Sequence, residues 1–311
     1  MTAFVNILLA LFQPLVFFIV GNLSDANVKR LASFLSFLFR VFNRPGVHLI
    51  RENLQFAYPE KSKKELDELT QANIKFTIWN WFEFIRMIKQ PGLDKRLLTE
   101  VDKDTKAVPT KVIVCLAHIG NWELFARLAS TFFPDITAIA ADYSKYPRLN
   151  DLLVNSRKTT GLKIIYKEGG ARGCLRALQS GSAIAIVMDQ NLSERHGGMF
   201  VNFYHLPVPV TPLPAMLALH SKLPIYAAAC VRKPDDSFKI IFREVKIGGE
   251  TDKNAIMQKI MDANERIIRD YPEQYIWLYK RWASIPKALL DNKEEILKKY
   301  PSYTRKKYKN K

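Results

Sequence analysis

The stretch Val112–Glu123, VIVCLAHIGNWE, decides the fold. It opens with a run of apolar residues, as expected of a strand that is buried on both faces of a sheet. His118 comes where that strand is predicted to end, and Asn121, a residue type that caps helices, follows the glycine. Strand, turn and helix therefore follow one another directly, which is the repeating unit of an α/β sheet.

The same alternation of short apolar runs and helical stretches continues toward the C-terminus. Buried strands are predicted at Val112–Leu116, Thr137–Ala141, Leu162–Ile165, Ala183–Val187 and Ile225–Cys230, an edge strand at Phe238–Val245, and helices near 122–132, 147–159, 171–179, 212–221 and 253–270. Strands that alternate with helices in this way predict an α/β fold with a mostly parallel sheet covered by helices on both faces.

The N-terminal region has the composition of a membrane anchor. Phe4 to Val20 carries no charge and is at the lower limit of length for crossing a hydrocarbon core of about 30 Å. No basic residue precedes it and no small-residue cleavage site follows it, so an uncleaved anchor is favoured over a secretory signal. The basic residues begin at Lys29, which predicts that the body lies in the cytoplasm. A buried core helix is the alternative, because Gln13-Pro14 interrupts the run.

Four regions are predicted: a membrane anchor at 1–22, a helical membrane-proximal region at 23–110, an α/β domain that would carry the activity at 111–286 and a basic C-terminal tail at 287–311. In the second region, Val28–Phe42 predicts a helix that lies on the bilayer or on the core. Ser62 begins a capping box before an amphipathic helix that continues to about Lys89. The last fourteen residues carry seven basic and no acidic side chains, so this tail is predicted to be solvated rather than part of a core.

The overall composition limits the class of protein. Hydrophobic residues make up 48% of the 311 positions and aromatic residues 12%, which excludes a disordered chain. The 47 basic and 30 acidic residues leave a net charge of +17, which predicts an anionic partner: nucleic acid, an anionic membrane or an acidic carrier protein. Cys115, Cys174 and Cys230 have no C-x-x-C spacing and are interpreted as reduced core thiols, which indicates a reducing compartment.

His118 is the candidate for chemistry, because ligands of an open α/β sheet bind at the carboxyl ends of the strands. Glu123 falls in the first turn of the following helix, from which its carboxylate can fold back to the imidazole. A carboxylate in that place would fix the tautomer and stabilise the imidazolium, giving a general base without a serine nucleophile. A histidine with a purely structural role beside the strand is the alternative.

This H-x4-E block, in a chain with an apolar N-terminus, resembles the lysophospholipid-type acyltransferase superfamily, whose mark is H-x4-D/E. Within it, the chain resembles the late acyltransferases of lipid A synthesis, the lauroyl/myristoyl branch, in which H-x-G-N-W-E is the usual form. Blocks in the same order as in that branch are Met188-Asp189-Gln190, the stretch from Gly197 to Pro207, Ala215-Met216-Leu217-Ala218 and Pro272 to Arg281. The resemblance covers nearly the whole chain.

The resemblance implies transfer of a fatty acyl group from a thioester, usually acyl carrier protein but acyl-CoA as the alternative co-substrate, to a hydroxyl of a phosphorylated lipid A precursor. No further cofactor is implied. His118 is expected to deprotonate the hydroxyl while Glu123 holds the imidazole. The implied location is the cytoplasmic face of a bacterial inner membrane, with an anionic membrane lipid as a further partner.

The resemblance also suggests substrate-binding residues. Arg157 is the best match for an arginine that binds a lipid phosphate, with Arg148 second. Asp189 fits an acidic residue that orients Arg157 or a donor-binding loop. Asn121, inside the H-x-G-N-W-E block, is placed with the substrate-binding residues.

Other functions stay open at this point. The H-x4-E pair specifies a proton transfer and not an acceptor, so a glycerophospholipid, a mannosylated inositol lipid or an aminolipid are alternative acceptors. A membrane-tethered nucleic-acid-binding protein is a different class, but the basic residues are spread along the chain without a recognition motif. A metal site at His196 and His205 is not predicted, because no cysteine or acidic residue has ligand spacing with them.

Overall fold

The computed structural model describes residues 13–90, 92–102, 108–140, 147–166 and 169–309. Its N-terminal part is helical. The helices are α1, of which 13–21 are described, α2 Asp25–Phe42, α3 Arg44–Ala57, α4 Lys63–Lys89 and α5 Leu93–Leu97. The capping box predicted for α4 is confirmed, because the Ser62 side chain accepts a hydrogen bond from the Glu65 backbone while the Glu65 carboxylate accepts one from the Ser62 backbone.

The second part of the chain is built on a sheet of seven strands in the order β1-β9-β8-β2-β5-β3-β4. The strands are β1 Leu98–Val101, β2 Ile113–Gly120, β3 Ile136–Ala140, β4 Lys163–Tyr166, β5 Ala183–Val187, β8 Ile225–Arg232 and β9 Phe238–Glu244, with a separate hairpin of β6 Met199–Phe203 and β7 Leu206–Val210. Every neighbouring pair in the seven-stranded sheet is parallel except β8 with β9. The predicted α/β class with a mostly parallel sheet is confirmed.

Helices cover both faces of this sheet. They are α6 Trp122–Phe132, α7 Pro147–Lys158, α8 Gly170–Gln179, α9 Leu213–Ser221 and α10 Lys253–Asp270. Alternate residues of β2 belong to opposite cores: Cys115 packs in the cluster that includes α10, and Val114 in the cluster that includes α6. The apolar run of β2 is therefore continuous because both of its faces are buried.

Two strand regions were not predicted. The strand β1 is short and at the edge of the sheet, where a pattern of buried residues is weak. In the hairpin, Pro207 and Pro209 lie in β7. A proline in a sequence argues against a strand, because its nitrogen cannot donate a hydrogen bond to the neighbouring strand. The two prolines are tolerated because this sheet has only two strands, so each strand is an edge.

The predicted N-terminal anchor is only partly within the described residues, since residues 4–12 lie outside them. In the described part of the chain, no helix is long and apolar enough to cross a membrane. The second predicted helix is confirmed as α2. One side of it packs on α4 through Val28 and Ala32, whereas Phe34 and Phe37 on the opposite side are 58% and 52% exposed.

The prediction of a solvated C-terminal tail is wrong. The chain continues through a 3₁₀ segment at Lys287–Asn292, α11 Lys293–Lys298 and α12 Ser302–Lys309. Tyr300 and Thr304 are buried, and the Tyr303 hydroxyl donates a hydrogen bond to Asn53 Oδ1 at 2.9 Å. The Ile285 backbone N–H donates to the Tyr308 hydroxyl at 3.2 Å, so α12 is held against the preceding chain, whereas Arg305 and Lys306 are exposed.

The interpretation of the three cysteines as core thiols is confirmed. Cys115, Cys174 and Cys230 are all free and buried. Burial raises the pKa of each thiol, so these cysteines are poor nucleophiles.

Candidate active site

The site is built where β2 leaves its neighbour β8. The pairing of these strands is regular as far as Leu116 and shifts before Gly120. Between Leu116 and Gly120, β2 pairs instead with residues 275–276. Ile119 forms a β-bridge with Tyr275, and the Ile276 backbone N–H donates to the His118 carbonyl at 3.0 Å. Irregular pairing of this kind re-aims a side chain at the end of a strand. It places His118 at the carboxyl edge of the sheet, where a ligand of this fold class binds.

The turn after His118 requires a glycine. Gly120 has a φ of +63°, and a Cβ on it would lie 1.9 Å from the Cys230 carbonyl oxygen. The Asn80 side chain donates a hydrogen bond to the Gly120 carbonyl at 2.6 Å. Asn121 then caps α6 by accepting a hydrogen bond from the Leu124 backbone at 2.9 Å, as its residue type predicts. The position of His118 relative to the helix is thus fixed by close backbone contacts.

The imidazole of His118 is held by Asp189. Nδ1 of His118 lies 2.6 Å from Oδ1 of Asp189, and the His118 backbone N–H donates to Oδ2 at 3.0 Å. Burial alone would raise the pKa of the Asp189 carboxyl, but His118, its two hydrogen bonds and the cation of Arg281 outweigh that effect and lower the pKa to about 2. Asp189 is therefore ionised at neutral pH and accepts the Nδ1 proton.

Glu123 has a different partner from the one predicted. Its two carboxylate oxygens accept from Nε of Arg157 at 3.0 Å and from Nη2 at 2.6 Å, a bidentate ion pair between α6 and α7. The Glu123 carboxylate is 6% exposed and the Arg157 side chain 18%. The structure thus brings all four predicted residues into two pairs, with the carboxylates exchanged between His118 and Arg157 relative to the prediction.

The exchange has a simple topological cause. β5 is the direct neighbour of β2 in the sheet and runs parallel to it, so their carboxyl ends meet at one edge. Asp189 follows β5 by two residues, just as His118 lies near the end of β2. The sequence identifies both strand ends, but strand order is a long-range property that periodicity does not contain.

The segment from Pro272 onward, which sequence analysis used only for the family resemblance, holds the backbone of His118 in place. We call residues 272–282 the strap. Asn73 donates two side-chain hydrogen bonds to strap carbonyls, at Glu273 (2.8 Å) and Tyr275 (2.6 Å). Asn53 does the same further along, at Trp277 (2.8 Å) and Tyr279 (2.9 Å). Two buried asparagines of α3 and α4 thereby fix the backbone that pairs with His118.

Aromatic side chains connect the histidine with the surface. The rings of His118 and Trp122 meet edge to face with centroids 5.1 Å apart, and Trp122 meets Trp81 in the same way at 6.4 Å. Trp81, on α4, is 43% exposed. A row of three rings therefore joins the exposed surface of α4 to the imidazole.

Two hollows lie along α6 and α7. A small cavity of about 60 Å³ is lined by apolar side chains of α6 and the sheet, together with Trp122 and Arg157. A larger open groove of about 590 Å³ is bordered by Ile88, Arg127 and Arg148. The second arginine considered in the sequence, Arg148, thus borders the groove rather than the Glu123 pair.

The remaining candidates, Asn121 and His196, lie in different surroundings. The amide nitrogen Nδ2 of Asn121 is buried and has no hydrogen-bond partner among the described residues. His196 is exposed, and its Nδ1 lies 2.7 Å from the Ser193 hydroxyl. No group of three histidine, cysteine or acidic side chains in the described ranges is arranged to hold a metal ion.

Comparison with known proteins identifies the family. Residues 5–284 match the family described as bacterial lipid A biosynthesis acyltransferase. The chain belongs to this family. It is 25% identical over 267 residues to the lipid A biosynthesis palmitoleoyltransferase of Escherichia coli K12, covering 79% of this chain and 82% of the relative. It is 24% identical over 293 residues to the lipid A biosynthesis lauroyltransferase of the same organism, covering 88% and 91%.

The resemblance inferred from the H-x-G-N-W-E and P-E-Q-Y-x-W blocks is confirmed by this match. The protein is an acyltransferase of the lipid A biosynthesis type. The matched range includes the helical region and the whole sheet, so the His118–Asp189 and Glu123–Arg157 pairs both lie inside it.

Proposed function

We propose that this protein transfers a fatty acyl group from an acyl thioester to a hydroxyl of a phosphorylated lipid A precursor, with His118 as the general base and Asp189 as its partner. The observation that carries the proposal is the 2.6 Å contact between His118 Nδ1 and Asp189 Oδ1 at the carboxyl edge of the sheet. Family membership supports the reaction class and the acceptor. The roles of the individual residues rest on geometry and chemistry.

The proposed reaction needs no covalent acyl-enzyme. With the proton held on Nδ1 by Asp189, the lone pair of the imidazole is on Nε2. Nε2 takes the proton of the acceptor hydroxyl as the oxygen attacks the thioester carbonyl, and Asp189 stabilises the resulting imidazolium. Collapse of the tetrahedral intermediate breaks the carbon–sulfur bond, and the imidazolium returns the proton to the departing thiolate. The products are an ester and a free thiol.

Glu123 is proposed to act through Arg157 rather than on the imidazole. The bidentate pair fixes the guanidinium at the edge of the sheet, next to the apolar cavity below Trp122. We propose that Arg157 binds a phosphate of the acceptor there, and that the apolar lining receives acyl chain. Arg148, at the border of the larger groove, is the second candidate for the phosphate.

Asn121 is proposed to bind the substrate through its amide N–H. Its Oδ1 is occupied by the cap of α6, whereas its buried Nδ2 has no partner among the described residues. A donor near a helix N-terminus is suited to an oxygen that gains negative charge during acyl transfer.

Acyl carrier protein is the proposed donor, with acyl-CoA as the alternative. The net charge of +17 favours an acidic carrier, a phosphorylated acceptor and an anionic leaflet alike. The exposed apolar residues of α1 and α2, among them Phe18, Phe34 and Phe42, are proposed to lie on the cytoplasmic face of a bacterial inner membrane.

The decisive experiment is mass spectrometry of lipid A and of phospholipids from cells in which the gene has been deleted. Loss of one acyl chain from lipid A, restored by the wild-type gene but not by the His118→Ala variant, is expected. Unchanged lipid A together with a missing phospholipid or aminolipid species would reject the lipid A precursor as acceptor but would still support acyl transfer. Full restoration by His118→Ala would reject the base.

A further inference from the structure

The segment that follows Asp189 leads from the candidate active site to a third hollow. Its first part is fixed on the strap, because the Asn191 backbone N–H donates to the Tyr279 hydroxyl at 2.9 Å and the Asn191 side chain donates to the Lys280 carbonyl at 3.2 Å. Ser193 then lines the hollow, which has a volume of about 420 Å³. Ser193 is the fourth residue after Asp189, so their Cα atoms are at most about 14 Å apart. The hollow therefore begins close to the candidate active site.

The hollow has an apolar floor and a cationic rim. The floor consists of buried or half-buried apolar side chains, namely Phe200, Pro209, Ile285 and Leu290. The rim carries the exposed cations Arg195, Lys287 and Lys307, with Glu194 as the one carboxylate among the described lining residues. These residues come from the loop after β5, the β6–β7 hairpin and the chain that follows the strap. An apolar centre surrounded by polar groups is the usual construction of a surface that binds another protein.

The rim cations form no ion pair with a described side chain, whereas Lys29, for example, is paired with Asp236 at 2.7 Å. The Lys307 ammonium donates instead to the neutral Ala283 carbonyl at 2.7 Å. Among the described exposed side chains of residues 280–309, one is acidic, Asp291, and seven are basic: Lys280, Lys287, Lys298, Lys299, Arg305, Lys306 and Lys307. We call the three rim cations, together with Arg305 and Lys306 of α12, the basic surface. Grouped like charges repel one another, so this surface is suited to an anionic partner.

The same part of the molecule has few apolar side chains with which to enter a membrane. Among the described side chains of residues 280–309, Leu289 is the one large apolar side chain that is exposed, at 37%. In contrast, Phe18 on α1 and Phe34 and Phe42 on α2 are 69%, 58% and 80% exposed, as expected of helices that lie on a bilayer. The exposed apolar face and the basic surface are therefore on different elements. This separation favours a soluble acidic protein over a lipid bilayer as the partner of the basic surface.

We propose that the basic surface docks the acidic carrier protein that brings the acyl thioester, and that the hollow receives an apolar side chain of that protein. The inference rests on the proposed function, in which the donor is a carrier-bound thioester. Complementary charge speeds the encounter of two proteins and fixes their orientation. The carrier holds its acyl group on a long flexible arm, so its docking surface has to lie near the base rather than at it. The short connection from Asp189 to Ser193 meets this condition.

The test compares two triple variants that change the net charge equally. The rim variant combines Arg195→Gln, Lys287→Gln and Lys307→Gln. The control variant combines Lys63→Gln, Lys246→Gln and Lys253→Gln, which remove exposed lysines of other parts of the fold. The first readout is Kd for the carrier protein with its arm but without an acyl group, measured by fluorescence anisotropy in neutral detergent. The second is kcat/KM for the acyl thioester of the carrier and for the same acyl group on free pantetheine, with lipid A precursor as acceptor.

The rim variant is expected to raise Kd for the carrier about 10-fold and to lower kcat/KM for the carrier thioester by the same factor, the combined size of three exposed charge pairs. Its kcat/KM for the pantetheine thioester should equal that of the wild type, because that donor has no carrier protein to dock. The control variant should match the wild type in both readouts. Added salt should weaken binding of the carrier by the wild type and remove the difference between the wild type and the rim variant.

An unchanged Kd for the carrier in the rim variant, an equal rise in the control variant, or no binding by the wild type would overturn the inference. So would a loss of binding to phosphatidylglycerol vesicles by the rim variant with an unchanged Kd for the carrier, since the basic surface would then bind the membrane. If the rim variant does not fold, judged by circular dichroism, Arg195→Glu alone is measured, and an unchanged Kd overturns the inference. Binding of the carrier needs no acceptor. Absence of acyl transfer to lipid A precursor by a wild type that binds the carrier would therefore count against the proposed function alone.

Discussion

The two side-chain pairs at the carboxyl edge of the sheet, His118–Asp189 and Glu123–Arg157, differ in what they can do. Arg157 is permanently charged, so its bidentate bond with Glu123 is a fixed cross-link between α6 and α7. An imidazole can take up and release a proton, so the contact of His118 with Asp189 is suited to a proton transfer. Under the proposed function, two pairs of similar distance and burial therefore have different roles: Glu123–Arg157 positions groups, and His118–Asp189 takes part in the reaction.

The largest loss of activity is expected from removal of the His118 imidazole. His118→Ala should lower kcat by about 10²–10⁴-fold, the range for loss of a general base. His196→Ala is the matched control, since it removes an exposed histidine hydrogen-bonded to Ser193. Steady-state kinetics in detergent measures both. Retention of more than about a tenth of wild-type kcat by His118→Ala would contradict the assignment.

The next effect separates the two carboxylates. Asp189→Asn should reduce kcat by about 10²-fold or more, because the amide no longer fixes the tautomer or stabilises the imidazolium. Glu123→Gln should reduce kcat less, but it should lower the free energy of unfolding by about 1–3 kcal/mol because it leaves the largely buried Arg157 without its anion. Kinetics and urea denaturation are measured on both variants. The reverse ranking in kcat would restore Glu123 as the partner of the base.

A smaller effect is expected at Asn121, whose two side-chain atoms have separate roles. Asn121→Asp keeps an acceptor for the cap of α6 but removes the Nδ2 donor, whereas Asn121→Ala removes both. If the donor binds the reacting oxygen, Asn121→Asp should lower kcat by about 10-fold or more with stability near wild type. If Asn121→Asp keeps wild-type kcat and only Asn121→Ala loses stability, Asn121 caps α6 and does not bind the substrate.

The smallest kinetic effect is expected from Arg157. Arg157→Lys keeps a cation but loses the bidentate geometry, so it should raise KM for the acceptor several-fold with little change in KM for the donor. The same substitution at Arg148 gives the comparison at the border of the larger groove. If KM for the acceptor rises only in Arg148→Lys, Arg148 binds the phosphate. If only KM for the donor changes, neither arginine binds the phosphate of the acceptor.

The sequence predicts the elements of this fold closely, because β2 and β5 are buried on both faces and α6 and α10 have clear ends. It also identifies all four residues of the two pairs: His118 and Glu123 from their place after a buried strand, and Arg157 and Asp189 from the family resemblance. The pairing of Asp189 with His118 could not be predicted, because it depends on β5 lying next to β2. Neither could the burial of Tyr300 and Thr304, because this segment makes long-range contacts: the Tyr303 hydroxyl donates to Asn53, 250 positions away.

The hydrogen bonds of Asn53 to the strap have a consequence for synthesis of the chain. Asn53 and Trp277 are 224 positions apart, and Asn73 and Tyr275 are 202 apart. The backbone partner of His118 is therefore absent until nearly the whole polypeptide has left the ribosome. Contacts of such wide separation form late in folding. A truncated translation product that ends before the strap would contain His118 and Asp189 without the segment that pairs with His118, so under the proposed function incomplete chains should not cleave the acyl thioester.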